Sequence, residues 1–205
     1  MKTITILTCL LFIGSLCSSQ ESSEEKALDK IGITFSSFGE IDVIRFQNLD
    51  GAASFSGNKF FTLGICYLHP LNKSLFLETG IEYSNYSIFV NPNLPPDMDA
   101  KSYKNNFSIL NIPITMRAVF LKYLFFNGGL MIDIDASTES AIDSQTGIGG
   151  LLGIGANYDF AFGASIFVNP YFKAHSLIPF TGEKYPQRVL ESGIKIGVTY
   201  HLDRN

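Results

Sequence analysis

The sequence predicts an all-β protein, an eight-stranded antiparallel up-and-down transmembrane β-barrel, and three observations carry that expectation. Apolar and polar residues alternate with a period of two in one run after another, the clearest being Arg188 to Leu202. There Leu190, Ile194, Ile196, Val198, Tyr200 and Leu202 share one parity, while Glu191, Gly193, Lys195, Gly197 and Thr199 share the other. A strand with one aliphatic face ending in an aromatic and one face of charge, hydroxyl and glycine suits a wall between lipid and a polar interior. The connections between runs alternate long and short, the rhythm of outer loops and tight inner turns. Finally, only 17% of the residues are charged, against about 25% in an average soluble domain.

The 205 residues amount to one domain, and 18 Phe with 9 Tyr supply the aromatics that strands favour, Trp being absent. A formal net charge of -4 with no basic stripe excludes nucleic acid as a partner. Met1 to Ser19 has one Lys, an apolar run and then small residues, the pattern of a secretory signal peptide cleaved ahead of Gln20. Cys66 is the one cysteine outside it, and it reads as a small buried apolar residue.

From Gln20 to Lys30 the chain is a polar, acidic leader, and the barrel is expected over 31–202. Ile31 to Phe46 is one bent strand whose phase breaks at Phe38-Gly39, as at a β-bulge. Gln47 to Asn58 is a loop rich in Gly, Ser, Ala and Asn. Lys59 to His69 sets Phe61, Leu63, Ile65 and Tyr67 against Thr62, Gly64 and Cys66, and Pro70 ends it in a tight turn. Leu75 to Phe89 sets Leu75, Leu77, Ile81 and Tyr83 against Glu78, Gly80, Glu82 and Ser84.

Three prolines make Val90 to Asn106 a long loop. Phe107 to Phe120 and Tyr123 to Ala136 are strands joined by a short turn near Lys122. Ser137 to Thr146 is a polar loop, and Gly147 to Tyr158 and Phe162 to Lys173 are the next strand pair. The glycines of Gly147 to Gly155 do not fit nucleotide-loop spacing. Ala174 to Gln187 is the last long loop before the closing strand.

On these parities the lumen receives Glu78, Glu82, Arg117, Asp133, Asp135, Lys173, Glu191 and Lys195. An eight-stranded barrel is only wide enough for its own side chains, so such charges must pair into a network. A second reading makes Asp133 and Asp135, with Asp143 nearby, a cation or ligand site at the outer mouth. No pattern calls for a cofactor or a resident metal, and no nucleophile, base and acid gather in the sequence, so the chain is read as a non-enzyme. Met98 and Tyr103 in one long loop, and Leu177, Ile178, Phe180 and Tyr185 in another, are candidate contacts for a protein partner at the cell surface. Outer-membrane lipid is the other expected partner. A soluble, secreted lipocalin-like barrel holding a small apolar ligand is the alternative architecture, since it also alternates, with its apolar face inside.

The strand, turn and strand NIPITMRAVFLKYLFFNGGLMIDI, the glycine run GIGGLLGIGANYDF and the closing strand together resemble the small outer-membrane barrels of the Bacteroidetes, the PorT-like group, related in architecture to the OmpX and OmpA barrels. The resemblance covers about residues 28 to 202, although the chain ends Leu202-Asp203-Arg204-Asn205 rather than on an aromatic. It implies an outer-membrane location and no reaction.

Overall fold

The computed structural model describes residues 28–45, 53–93, 101–137, 140–180, 182 and 186–202. The expected signal peptide and most of the leader lie outside them. Eight strands follow one another: β1 (Lys30–Arg45), β2 (Ser54–Pro70), β3 (Leu75–Asn91), β4 (Tyr103–Phe120), β5 (Leu124–Asp135), β6 (Gly147–Asp159), β7 (Ala164–Pro179) and β8 (Gln187–His201). Each pairs antiparallel with the next, and β1 pairs with β8 to close the barrel. The expected fold class is therefore the observed one.

Turn chemistry sets the short connections. Between β2 and β3 the Asn72 side-chain oxygen accepts the amides of Ser74 and Leu75, both at 2.9 Å, the local capture for which Asn is favoured in turns. Between β4 and β5, Leu121 and Lys122 both adopt positive φ, at 49° and 67°, the sense that matches the twist of a hairpin. The anticipated break in β1 is a register shift between Ser36 and Phe38.

Strand ends differ from expectation on the long-loop side. β3 runs on to Asn91, β4 starts at Tyr103, and Ser54 to Asn58 belongs to β2. Ala174 to Pro179, expected as loop, is the end of β7. Alternation fails there because Ser176 sits at φ 46° and the chain bulges against β6 between Ile148 and Gly150, so Ala174, His175 and Ser176 are all buried in succession.

The barrel wall divides into two zones of opposite polarity. On the turn side, outward residues are apolar and exposed, among them Ile33, Phe35, Leu63, Ile65, Ile81, Tyr83, Ile114, Leu130, Ile196 and Val198. Inward residues there are mostly polar and buried, Thr34, Thr62, Glu78, Glu82, Thr115, Arg117 and Lys195, with Cys66, Leu68, Phe125 and Phe167 packed among them. A lipocalin-like barrel would have this zone the other way round. Towards the long loops the pattern inverts. On β3 the inward parity continues from Ser84 into Tyr86, Ile88 and Val90, while the outward parity passes from Tyr83 into Asn85 and Ser87, with exposed Phe89 beyond them. On β4 the inward side passes from Asn111 into Ile109 and Phe107. Ile41, Phe60, Val189 and loop residue Ile142 join these side chains in a buried apolar cluster that fills the mouth.

From Leu75 to Tyr83 the outward apolar band rises about 20 Å at ~3.4 Å per residue and a tilt of ~40°. That approaches the ~25 Å lipid-facing band of a membrane barrel. The band continues round the wall through Ile112, Ile132, Ile148 and Ile178, which occupy one register line. At its turn-side margin Tyr123 stacks on Tyr158, and Tyr158 meets Phe160 edge-on. Amphipathic rings of this kind sit where lipid gives way to water.

Candidate functional site

The lumen is built from side chains that alternate inward, and it holds three charge groups drawn from β3, β4, β5, β7 and β8, two of them joined through Lys173. Nearest the turns, Glu78 on β3 receives Arg117 on β4 through Nε and Nη2, both at 2.9 Å. Asn127 donates to the same carboxylate at 3.2 Å. The guanidinium also packs on the rings of Phe125 and Phe167, 4.2 and 4.7 Å from their centroids, the two rings meeting edge to face. A fork-shaped pair with aromatic rings beside it satisfies a buried charge better than a lone lysine would.

In the middle, Glu82 accepts from Lys173 at 2.9 Å and from Lys195, so one carboxylate on β3 ties β7 to β8. Towards the mouth, Glu191 on β8 accepts hydrogen bonds from the hydroxyls of Tyr86 and Tyr171. Lys173 Nζ lies 3.6 Å from it and His175 Nε2 3.5 Å. His175 Nδ1 is 3.3 Å from Asp133, which Asn111 also reaches at 2.6 Å and the Ser176 amide at 2.8 Å. Ions taken out of water are tolerable only when paired and hydrogen-bonded in this way.

Seven of the eight expected lumen charges, Glu78, Glu82, Arg117, Asp133, Lys173, Glu191 and Lys195, are therefore brought together. Asp135 is not among them. It accepts the amides of Ser137 at 2.9 Å and Gln145 at 3.1 Å, and so shapes the loop after β5. Asp143 does similar work, accepting the Gln187 amide at 3.0 Å. Among the described residues no group of three or more metal-ligating side chains converges, and the Asp133, Asp135 and Asp143 carboxylates each have different partners.

Tyr86, Tyr171 and His175 are the network members that sequence reasoning missed. The signal was present for the first two, since Tyr86 shares the parity of Glu82 and Ser84, and Tyr171 that of Lys173. Of the candidate loop contacts, Tyr103 opens β4, and Leu177 and Ile178 belong to β7. All three are exposed, as is Phe180 just beyond β7. Ile178 ends the outward isoleucine line and exposed Leu177 precedes it, so they extend the apolar band. Met98 and Tyr185 lie outside the described residues.

No family model matches the chain, and no curated protein sequence does. Solved structures do. The outer membrane protein OprG from Pseudomonas aeruginosa is similar with a TM-score of 0.50 and 12% identity, over 86% of this chain and 98% of that one. Outer membrane protein AlkL, solved in lipid bilayers, is similar with a TM-score of 0.54 and 12% identity, over 91% of this chain and 96% of that one. At such identity the likeness concerns the fold, a small eight-stranded barrel.

Proposed function

We propose that the chain is a bacterial outer-membrane barrel protein of structural, adhesive or accessory role, exported through a cleaved signal peptide, with a plugged lumen and a partner-binding rim. The inversion of polarity along β3 and β4 carries this reading. A wall that is apolar outside and polar inside for the height of a bilayer core, then polar outside and apolar inside, matches a barrel that stands in lipid and projects beyond it. The fold shared with OprG and AlkL supports the location, and the residue patterns shared with the small Bacteroidetes barrels support a place in that group.

The filled lumen supports a role without solute passage. Glu78, Glu82, Lys173 and Glu191 are each 4% exposed or less, and the apolar cluster with Ile142 stands above them. The proposal includes no enzymatic step and no cofactor; its partners are outer-membrane lipid and a protein met at the rim. Fractionation and planar-bilayer recording test it together. The mature chain is expected in outer membranes, with unheated and boiled samples running differently on gels, and with no stable conductance. A detergent-free soluble monomer would remove the membrane reading, and steady porin-like conductance would remove the plugged lumen.

A further inference from the structure

β5 and β6 have 12 and 13 residues, whereas β3 and β4 have 17 and 18. The rim is therefore uneven, and where a ladder stops before the strand does, an edge is left without a paired strand. The ladder from β4 to β5 ends at Ile109↔Asp135, and that from β7 to β8 ends at Ala174↔Leu190. An open edge presents unpaired main-chain donors and acceptors, which proteins cover, charge or pair.

The two edges are treated differently. Along β8 the loop after β5 supplies side chains in place of a strand. Gln145 accepts the Val189 amide at 3.2 Å and donates to the Gln187 carbonyl at 3.0 Å, while Asp143 accepts the Gln187 amide. Along β4 the main-chain cover stops at Ser108, whose carbonyl accepts the Ala136 amide at 2.9 Å and whose amide donates to Ser137 Oγ at 3.0 Å; higher up the same loop meets β4 from the lumen side, where the Ala141 amide donates to the Asn105 side chain at 3.1 Å. Main-chain groups in an antiparallel strand point to alternate neighbours, so those of Asn106 and Lys104 face the same way as those of Ser108. Those of Asn105 and Phe107 face β3, where Asn105 pairs with Ile88 and Phe107 with Tyr86. Among the described residues nothing meets the two N–H and two C=O groups of Lys104 and Asn106 on the open side.

From this we infer that the Tyr103 to Asn106 edge of β4 is a strand-addition site for an extended segment of another polypeptide, with an acidic side chain opposite Lys104. It rests on the membrane reading for its place above the lipid. Exposed Lys104 supplies the charge, and the unpaired main chain supplies the hydrogen bonds. A second copy of the chain does not fit. Antiparallel continuation of the sheet needs a two-fold axis perpendicular to the wall, which would turn one barrel upside down in the bilayer. Parallel continuation fails because two upright barrels with strands tilted ~40° would cross them at roughly 80°.

The test uses the full chain in nanodiscs and the peptide acetyl-Thr-Val-Glu-Val-Thr-amide. Amide exchange and intermolecular contacts should report protection at Lys104 and Asn106 and not at Asn105, with binding by about 1 mM peptide. The peptide N-methylated on its edge-facing amides should bind at least roughly tenfold more weakly. Asn106→Pro removes only an N–H that makes no ladder bond, so it should keep the heat-modifiable barrel and lose the peptide. Lys104→Glu should shift preference to the peptide with Lys in place of Glu. No protection in the wild type, or equal binding by Asn106→Pro, overturns the site. A barrel found to be soluble would instead sink the membrane reading while leaving edge protection intact, so the two failures are distinguishable.

Discussion

Replacing Arg117 with Met tests how the lumen is held together. The Glu78 carboxylate it leaves behind is 4% exposed, and it would lose the two charge-assisted bonds at 2.9 Å, keeping only Asn127. Removing one member of a buried pair leaves an uncompensated charge worth about 3–5 kcal/mol. The lost cation–π contacts of the guanidinium with Phe125 and Phe167 contribute to that figure, each such contact being worth ~0.5–2 kcal/mol. The double variant Glu78→Gln, Arg117→Met should lie much nearer the wild type, within about 1–2 kcal/mol, because no ion remains to be solvated. Urea unfolding of the four proteins in vesicles gives the coupling energy, expected at ~2–4 kcal/mol. If Arg117→Met unfolds at the wild-type midpoint, or if the double variant is no more stable than Arg117→Met, the lumen is wet or loose and the packed reading is wrong.

Three further outcomes follow from the same geometry. Gly129→Ala would set a Cβ 2.4 Å from the Ile114 carbonyl oxygen and 2.7 Å from the Thr115 Cα, an overpacking of main chain that should cost about 1–3 kcal/mol, whereas Gly150→Ala, whose nearest neighbour would be Leu177 Cδ1 at 3.7 Å, should change urea stability by less than ~0.5 kcal/mol. In a Cys66→Ala background, a cysteine replacing Gly182 should react with an impermeant maleimide on intact cells and one replacing Asn72 should not; the reverse result would invert the topology. Without any peptide, Lys104 and Asn106 should exchange their amide protons far faster than Asn105 and Phe107, and equal rates along the strand would mean that the β4 edge is already covered.

What the sequence discloses depends on whether a physical signal has a fixed period. Strand number, order and direction were legible because each strand obeys a period of two across the apolar band, and because Asn72 and Lys122 mark tight turns. The β1 bulge was legible because Phe38-Gly39 breaks the phase. The upper ends of β3 and β4 were cut short, at Phe89 and Phe107, because Pro92, Pro95 and Pro96 marked all of Val90 to Asn106 as loop, whereas β3 runs on to Asn91 and β4 starts at Tyr103. The exchange of sides above the band was hidden as well, since Tyr86, Ile88 and Val90 lie on the parity that Glu78 and Glu82 define as polar. The end of β7 was hidden for another reason, because the bulge at Ser176 buries three successive residues and removes the period itself. That is why His175, lodged between Asp133 and Glu191, was taken for a loop residue. Asp135 misled by following Asp133 at a spacing of two, although β5 ends there and its carboxylate turns to the loop.

The inversion of polarity on β3 is the centre of the account, and a nitroxide scan measures it directly. Single labels at Thr79, Ile81, Tyr83, Asn85, Ser87 and Phe89, in the Cys66→Ala protein reconstituted in vesicles, are compared for collision with oxygen and with a water-soluble nickel reagent. Oxygen should dominate at Thr79, Ile81 and Tyr83, and the nickel reagent should take over between Tyr83 and Ser87. Nickel access at Ile81 equal to that at Phe89, or oxygen dominance persisting through Phe89, would contradict a barrel that leaves the bilayer where its two faces exchange polarity.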